Sequence, residues 1–256
     1  MKTFKLGEKL LIGGILAVVI PIIIIGVVSV YQSTQSITEL ARNSMGNTAK
    51  GLAGGLDSIL YEQIVTIRNI AYSDTIVVAA EKIAREGVIN SEKELLLAQR
   101  KLTHIKAAEE DRYSSITLVG IDGIVYTSSD DGKYKGLDLS SRDYLKQALK
   151  GVPNIGSVVF SKATGKVICT AAHPIYDYAG KEITGIVVMA LWTKFLTDLV
   201  DEIKVKESGY AYLVDKTGLY ITHPAKEHIL KENISDIKGM ENLVAESSAN
   251  RSGVVE

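Results

Sequence analysis

Four histidines, one cysteine and a scatter of glycine–lysine pairs are the side chains from which a reactive, metal-binding or phosphate-binding site would have to be built. His104, His173, His223 and His228 lie far apart or across a proline. None belongs to a His-x-x-x-His turn carrying a glutamate, and none has a cysteine partner, as a zinc site would need. Cys169 is alone, which excludes an intrachain disulfide, and it sits in the apolar run Val167-Ile168-Cys169-Thr170-Ala171-Ala172, where it reads as a small core residue. Gly165-Lys166 fails as a phosphate loop, because Phe160 stands where the first glycine belongs and Val167 replaces the Ser/Thr. Asp130-Asp131-Gly132 lacks the alternating carboxylates of a calcium loop, and Asn233-Ile234-Ser235 matches a glycosylation acceptor only by chance. No Ser/His/Asp or Cys/His set has supporting context. The expectation is a protein without catalytic machinery, cofactor or metal.

The elements around these residues are more informative. From Leu10 to Thr38 no residue is charged, and Leu10 to Tyr31 is almost wholly apolar, long enough for a membrane-spanning helix of about 20 residues. Lys2, Lys5 and Lys9 precede this run, and Arg42 is the first basic residue after it. The excess of positive charge holds the amino terminus in the cytoplasm and sends the rest outward. The run is too long, and its exit Val28-Ser29-Val30-Tyr31-Gln32 too poor in small residues, for a cleaved signal peptide. Pro21 at mid-span is tolerated in membrane helices. With 29 Lys and Arg against 30 Asp and Glu, the chain lacks the basic stripe that nucleic acid requires.

Beyond the span, Ile37, Leu40, Met45, Ala49, Leu52, Leu56, Leu60, Ile64, Ile67 and Ile70 recur at helical spacing, interrupted only by Gly51, Gly54 and Gly55. A further helical stretch runs from Ser73 to Asp111 with a break near Gly87–Ser91. The character then changes to strand: Ile116–Val119 and Ile124–Thr127 flank Asp122-Gly123, a hairpin signal. A short helix over Ser141–Lys150 ends at Gly151, strands follow at Gly156–Phe160, Val167–Ala172 and Ile183–Leu191, and a helix at Trp192–Ile203. The hairpin pattern begins again at Tyr210–Val214, Asp215-Lys216-Thr217-Gly218 and Leu219–Pro224. The expected fold class is α+β. Its parts are a cytoplasmic N-terminus (1–9), a transmembrane helix (10–31), a long helical stalk (32–112), a membrane-distal PAS-like antiparallel-sheet module (113–203) and a membrane-proximal module (204–256) that stops partway, as in a fragment or truncated product.

Several stretches together resemble the double Cache sensor domain of methyl-accepting chemotaxis proteins and related sensor kinases: the anchor and long helix, Ser140-Ser141-Arg142-Asp143-Tyr144-Leu145-Lys146-Gln147-Ala148, Ser161–Lys166, Pro174-Ile175-Tyr176-Asp177, Gly185-Ile186-Val187-Val188 and Gly209–Asp215. The resemblance covers essentially the whole chain. It implies a small-molecule ligand bound outside the cytoplasm by the membrane-distal module, in a plasma-membrane protein that signals along its long helix to a cytoplasmic output domain. The pattern of the long helix itself leaves two expectations open, a homodimer paired through the stalk and a stalk that packs against its own domain. Members that bind amino acids carry Arg-x-aromatic-aromatic, a later Tyr-x-Asp and an aspartate on the last strand. Arginine forks onto a carboxylate, while aromatics and aspartate hold an ammonium. By resemblance the arginine is Arg142 and the first aromatic Tyr144; the second aromatic is replaced by Leu145, Tyr-x-Asp by Val159-Phe160-Ser161, and the last aspartate by Ala190. Both carboxylates are lost and the cation kept, so the implied ligand is an anion such as a small organic acid rather than an amino acid. Arg142, Tyr144, Ser161 and Ala190, with Tyr126 and Thr170 on strands expected to line the same cavity, form the candidate site. A salt bridge from Arg142 to Asp138 or Asp143 is the structural alternative. A membrane-anchored interaction protein of the cell envelope is the functional one.

Overall fold

The computed structural model describes residues 6–201, 203–205, 209–215, 217–240, 243 and 245. Lys2 and Lys5, which flank the apolar span, and the chain from 246 onward lie outside the described residues. The elements run α1 (Leu6–Ala71), α2 (Asp74–Glu86), α3 (Glu92–Ala108), β1 (Tyr113–Val119), β2 (Val125–Ser128), α4 (Asp143–Ala148), β3 (Asn154–Ile155), β4 (Val159–Phe160), β5 (Val167–Tyr176), β6 (Ile183–Trp192), α5 (Lys194–Asp201), β7 (Lys204–Val205), β8 (Gly209–Tyr210), β9 (Leu213–Val214) and β10 (Tyr220–Thr222). This is the mixed α+β architecture expected, with a long apolar helix at its start.

The chain divides into two units between Leu52 and Ala53. In the first, α1 holds the apolar run, whose most hydropathic window averages 2.8 with none of it buried. Ile15, Val18, Ile22, Ile25 and Val28 stay exposed. A helix this long and apolar can cross a bilayer, where such a surface is solvated by lipid.

The second unit is built on one antiparallel sheet of order β2-β1-β6-β5-β3, with β4 also paired to β5. Alternation along the strands divides the side chains between two faces. Ile116 and Leu118 of β1, Ala171 and Ile175 of β5, and Val187, Met189 and Leu191 of β6 meet Ile67 and Ile70 of α1, Ile76, Ala79, Ala80 and Ile83 of α2, and Leu95, Ala98 and Leu102 of α3. Each fully buried Ile or Leu contributes about 1.5–3 kcal/mol relative to exposure, so this helical layer is the principal core. α1 turns into α2 at Tyr72–Ser73, and α2 ends at Gly87, whose φ of +81° an L side chain would resist. Thus α2 and α3 lie on the sheet instead of prolonging a stalk.

The other face is smaller: Val119, Val125, Ala172, Ile186 and Val188 pack on Leu139 and on Tyr144, Leu145 and Ala148 of α4. The segment from Ser129 to Arg142 is stitched to β2 by Val125 N–H to Leu137 O (3.0 Å) and to the turn before it by Leu139 N–H to Gly123 O (2.9 Å). Gly123 has φ +84°, and a Cβ there would come 2.7 Å from that of Ser140, so the hairpin glycine also seats this loop. The Asp122 carboxylate accepts from Ile124 N–H at 3.0 Å; Asp215 repeats the device on Leu219 N–H at 3.1 Å, with Gly218 at φ +87°. β7–β8 and β9–β10 form two small antiparallel pairs in this later segment.

Candidate ligand-binding site

A cavity of about 40 Å³ lies on the smaller face, bounded by the sheet, the Tyr134–Arg142 loop, α4 and the β4–β5 turn. Sheet alternation supplies its floor: Ser115 and Thr117 from β1, Ile168 and Thr170 from β5, Val188 and Ala190 from β6. Val159 of β4 and Ser161, Lys162 and Ala163 of the turn close one side. Arg142 and Tyr144, at the start of α4, close another.

Five of the six expected residues therefore border one space: Arg142, Tyr144, Ser161, Thr170 and Ala190. Tyr126 does not. It packs with the helical-side core and borders a separate cleft near α3. The register explains why: Leu118 pairs with Thr127 and Val119 with Val125, leaving Tyr126 as the extra residue of a β-bulge. A bulge re-aims the side chain it inserts. The ring crosses Gly120, where a Cβ would collide with it, and burial, followed by the charge and hydrogen bond of Asp122, pushes the phenol up to about 12.

The Arg142 side chain is half-buried and donates from Nη2 to Phe160 O at 3.2 Å. The two carboxylates proposed as salt-bridge partners are engaged elsewhere: Asp143 pairs with Lys146 at 3.5 Å, and Asp138 accepts from Ser140 N–H at 2.8 Å. Among the described residues Arg142 has no carboxylate partner, and no Asp or Glu lines the cavity. Beside it Tyr144 is buried, and burial raises its phenol above the ordinary value, with the Arg142 charge opposing. Thr170, which lines the cavity, is 1 % exposed, and its hydroxyl has no hydrogen-bond partner among the described residues. An unpartnered buried hydroxyl costs about 1–3 kcal/mol, a cost that a bound molecule would remove. The Ser161 hydroxyl, by contrast, accepts from Ala163 and Thr164 N–H, both at 3.2 Å, and so shapes the turn.

Sequence reasoning missed Lys162, a second cation at the rim. Its Nζ donates to Asp138 O at 3.0 Å and Ser141 Oγ at 3.2 Å, tying the β4–β5 turn to the loop before α4. It also missed Ser115, Thr117 and Tyr134. The first two were legible as alternate residues of a strand; Tyr134 sits in an irregular loop that no periodicity marks. Gly156 makes room for the site: a Cβ there would come 2.6 Å from Thr170 Oγ1 and 2.9 Å from Tyr144 Cβ. Cys169 points to the opposite face, and its burial raises the thiol to about 11, leaving it unreactive.

The same architecture occurs in solved sensor domains. The structure superposes on the sensor domain of the Vibrio cholerae histidine kinase DctB with a TM-score of 0.63, covering 82 % of this chain and 76 % of that one at 14 % identity. It superposes on the ligand-binding domain of the Campylobacter jejuni chemoreceptor Tlp3, solved with 4-methylisoleucine, with a TM-score of 0.58 at 15 % identity, covering 80 % of this chain and 76 % of that one. For the Pseudomonas fluorescens chemoreceptor CtaA, solved with L-isoleucine, the TM-score is 0.56 at 21 % identity, with 77 % and 74 % covered. In sequence the chain is 27 % identical over 223 residues to the methyl-accepting chemotaxis protein TlpB of Bacillus subtilis (strain 168), covering 85 % of this chain and 31 % of that protein, so it spans about a third of the relative's length. Residues 33–254 match the Cache domain family dCache_1, and the chain belongs to that family of sensor domains.

Proposed function

We propose that this chain is the membrane anchor and extracytoplasmic sensing part of a bacterial receptor, a chemoreceptor or sensor kinase, and that it binds a small organic anion at the Arg142 cavity. The observation that carries this reading is the charge set of the site: a guanidinium without a carboxylate partner, beside a buried hydroxyl without a partner, in a cavity with no acidic lining. A carboxylate supplies what both groups lack. An amino acid would bring an ammonium for which the lining holds no counter-charge, and burying such a charge unpaired is strongly unfavourable. The amino-acid complexes of CtaA and Tlp3 make that ligand class the natural competitor.

The route from ligand to membrane follows the strand alternation. Val188 and Ala190 of β6 face the cavity, while Val187, Met189 and Leu191 of the same strand pack in the cluster that holds Ile67 and Ile70 of α1. A ligand that displaces β6 thereby changes the packing of α1, the helix that carries the apolar span. Pairing of two copies along α1 belongs to the same proposal and is supported by Ile37, Leu40 and Met45, which stay exposed. The test is a thermal-shift screen of the full chain in detergent, wild type and Arg142→Ala, against organic acids and amino acids. A ligand at 100 times its Kd adds about 2.7 kcal/mol of stability. The proposal expects organic acids to raise the wild-type melting point and not that of the variant. A shift by amino acids alone would contradict it.

A further inference from the structure

Arg142 shares the rim of the cavity with a second cation, and the second changes the chemistry that the site calls for. Lys162 lines the same space from the β4–β5 turn. From the start of α4, Arg142 reaches across to Phe160 O at 3.2 Å; Lys162 reaches back to Asp138 O at 3.0 Å and Ser141 Oγ at 3.2 Å. The two side chains cross the same gap in opposite directions, each tethered at its own place on the rim.

All three acceptors are neutral. The Asp138 carboxylate accepts from Ser140 N–H at 2.8 Å while its main-chain oxygen takes Lys162, and Asp143 pairs with Lys146. Among the described residues neither Arg142 nor Lys162 forms an ion pair, and no Asp or Glu lines the cavity. Lys166, at the end of the same turn, stands over the Trp192 ring and is not part of the lining. A guanidinium has five N–H donors and an ammonium three, so both rim cations keep donors for a ligand after these bonds. A cleft lined by charge of one sign gathers ions of the other, and two unanswered cations are matched by two negative charges. The sequence of the turn points the same way. Ser161 stands at the aspartate position of the amino-acid pattern and Lys162 follows it, so the turn presents an ammonium where that pattern would receive one.

We infer that the ligand is an organic dianion, with one anionic group on Arg142 and the other on Lys162, which makes Lys162 the residue that sets a preference for two charges over one. This deepens the anion proposal and rests on it.

The test is calorimetric titration of the full chain in detergent, at neutral pH, with two pairs of acids matched in length: butyrate with succinate, and pentanoate with glutarate. Inorganic phosphate and L-serine complete the panel, and wild type is compared with Lys162→Met and Lys162→Arg. The readout is the ratio of affinities within a pair, which loss of a merely structural tie would leave unchanged because it weakens both members alike. In wild type the dianion of at least one pair should bind about tenfold more tightly than its partner, the low end for a hydrogen bond to a charged group because Lys162 is exposed. Lys162→Met should bring that ratio close to one, and Lys162→Arg, which keeps the charge, should preserve it. Equal affinity within both pairs, or a ratio that survives in Lys162→Met, would overturn the role of Lys162 and leave the anion proposal standing. Tighter binding of phosphate than of either dicarboxylate would overturn the placement of one group on each cation. Binding of L-serine alone, or of no probe at all, would overturn both this inference and the anion proposal.

Discussion

Gly156→Ala is the smallest change that should close the site. The added methyl carbon would lie 2.6 Å from Thr170 Oγ1, 2.9 Å from Tyr144 Cβ and 2.9 Å from Tyr144 Cδ1. Carbon contacts are comfortable at about 3.5–4.0 Å, so three neighbours on two elements are each overlapped by roughly 0.6 Å or more. Neither element yields easily. Gly156 N–H is bonded to Thr170 O at 2.7 Å, which pins the backbone to β5, and Tyr144 is buried in α4. Overpacking of this kind costs about 1–3 kcal/mol, and for a chain of this size that is a fall in Tm of about 2–10 °C. Thermal unfolding of the full chain in detergent, followed by the fluorescence of Trp192, its one tryptophan, measures it. The variant should also lose any ligand-induced rise in Tm, because the methyl and the displaced Tyr144 ring occupy the cavity. An unchanged Tm together with an intact ligand response would refute the packing of Gly156 against β5 and α4.

Cys169, 3 % exposed and with its thiol raised to about 11, should resist alkylation by iodoacetamide at neutral pH in the folded protein and react on unfolding; prompt labelling of the native chain would contradict its burial. His173 is 3 % exposed, its Nδ1 lies 2.7 Å from Pro174 O, its ring meets the edge of Tyr72, and burial, followed by the nearby Arg68 charge against the pull of Pro174, lowers its pKa from 6.5. The folded state thus favours the neutral ring, the unfolded chain takes up the proton first, and stability should fall as pH drops below about 6.5 and stay level with respect to this group above it. His173→Gln should flatten that slope in urea titrations at pH 7.5 and 5.5; an identical slope would assign it elsewhere. A Cβ at Gly55 meets nothing within 4 Å, so Gly55→Ala should raise the stability of α1 by up to about 1 kcal/mol, read as helicity on heating. A loss instead would show that this face of α1 packs closely against another helix.

The parts of this fold that sequence made legible are those set by local chemistry. Asp122-Gly123 and Asp215–Gly218 mark their hairpins because the carboxylate closes the turn and the glycine takes a positive φ. Gly87 ends α2 for the same backbone reason. Pairing between distant segments was not legible. The expected strand from Val167 stops at Ala172, since Pro174 argues against a strand interior, yet β5 continues to Tyr176. Its outer partners β3 and β4 reach only as far as Ala172, so the missing proline N–H faces no strand. The helical stretch after Ser73 reads as stalk, because nothing local says that Ile76, Ala80 and Leu102 will find the sheet. At the site, the resemblance placed Arg142 and Tyr144 at one cavity, but Tyr126, expected there because its strand lines the same cavity, faces the other side, since a bulge in β2 shifts the pairing by one. Lys162 escaped notice because a lone lysine in a turn has no pattern to announce it.

The measurement that bears most directly on the anion-sensing account uses the one tryptophan, which lies beside the turn at the site. The ring of Trp192 lies 5.1 Å under Lys166 Nζ, at the β4–β5 turn that closes the cavity. A fluorescence titration of the full chain in detergent with a panel of small organic acids and with L-serine, in wild type and Arg142→Ala, reads ligand binding beside that turn. The account predicts a saturable change with an organic acid that Arg142→Ala abolishes, and none with L-serine. A saturable change with L-serine and none with any organic acid would contradict it.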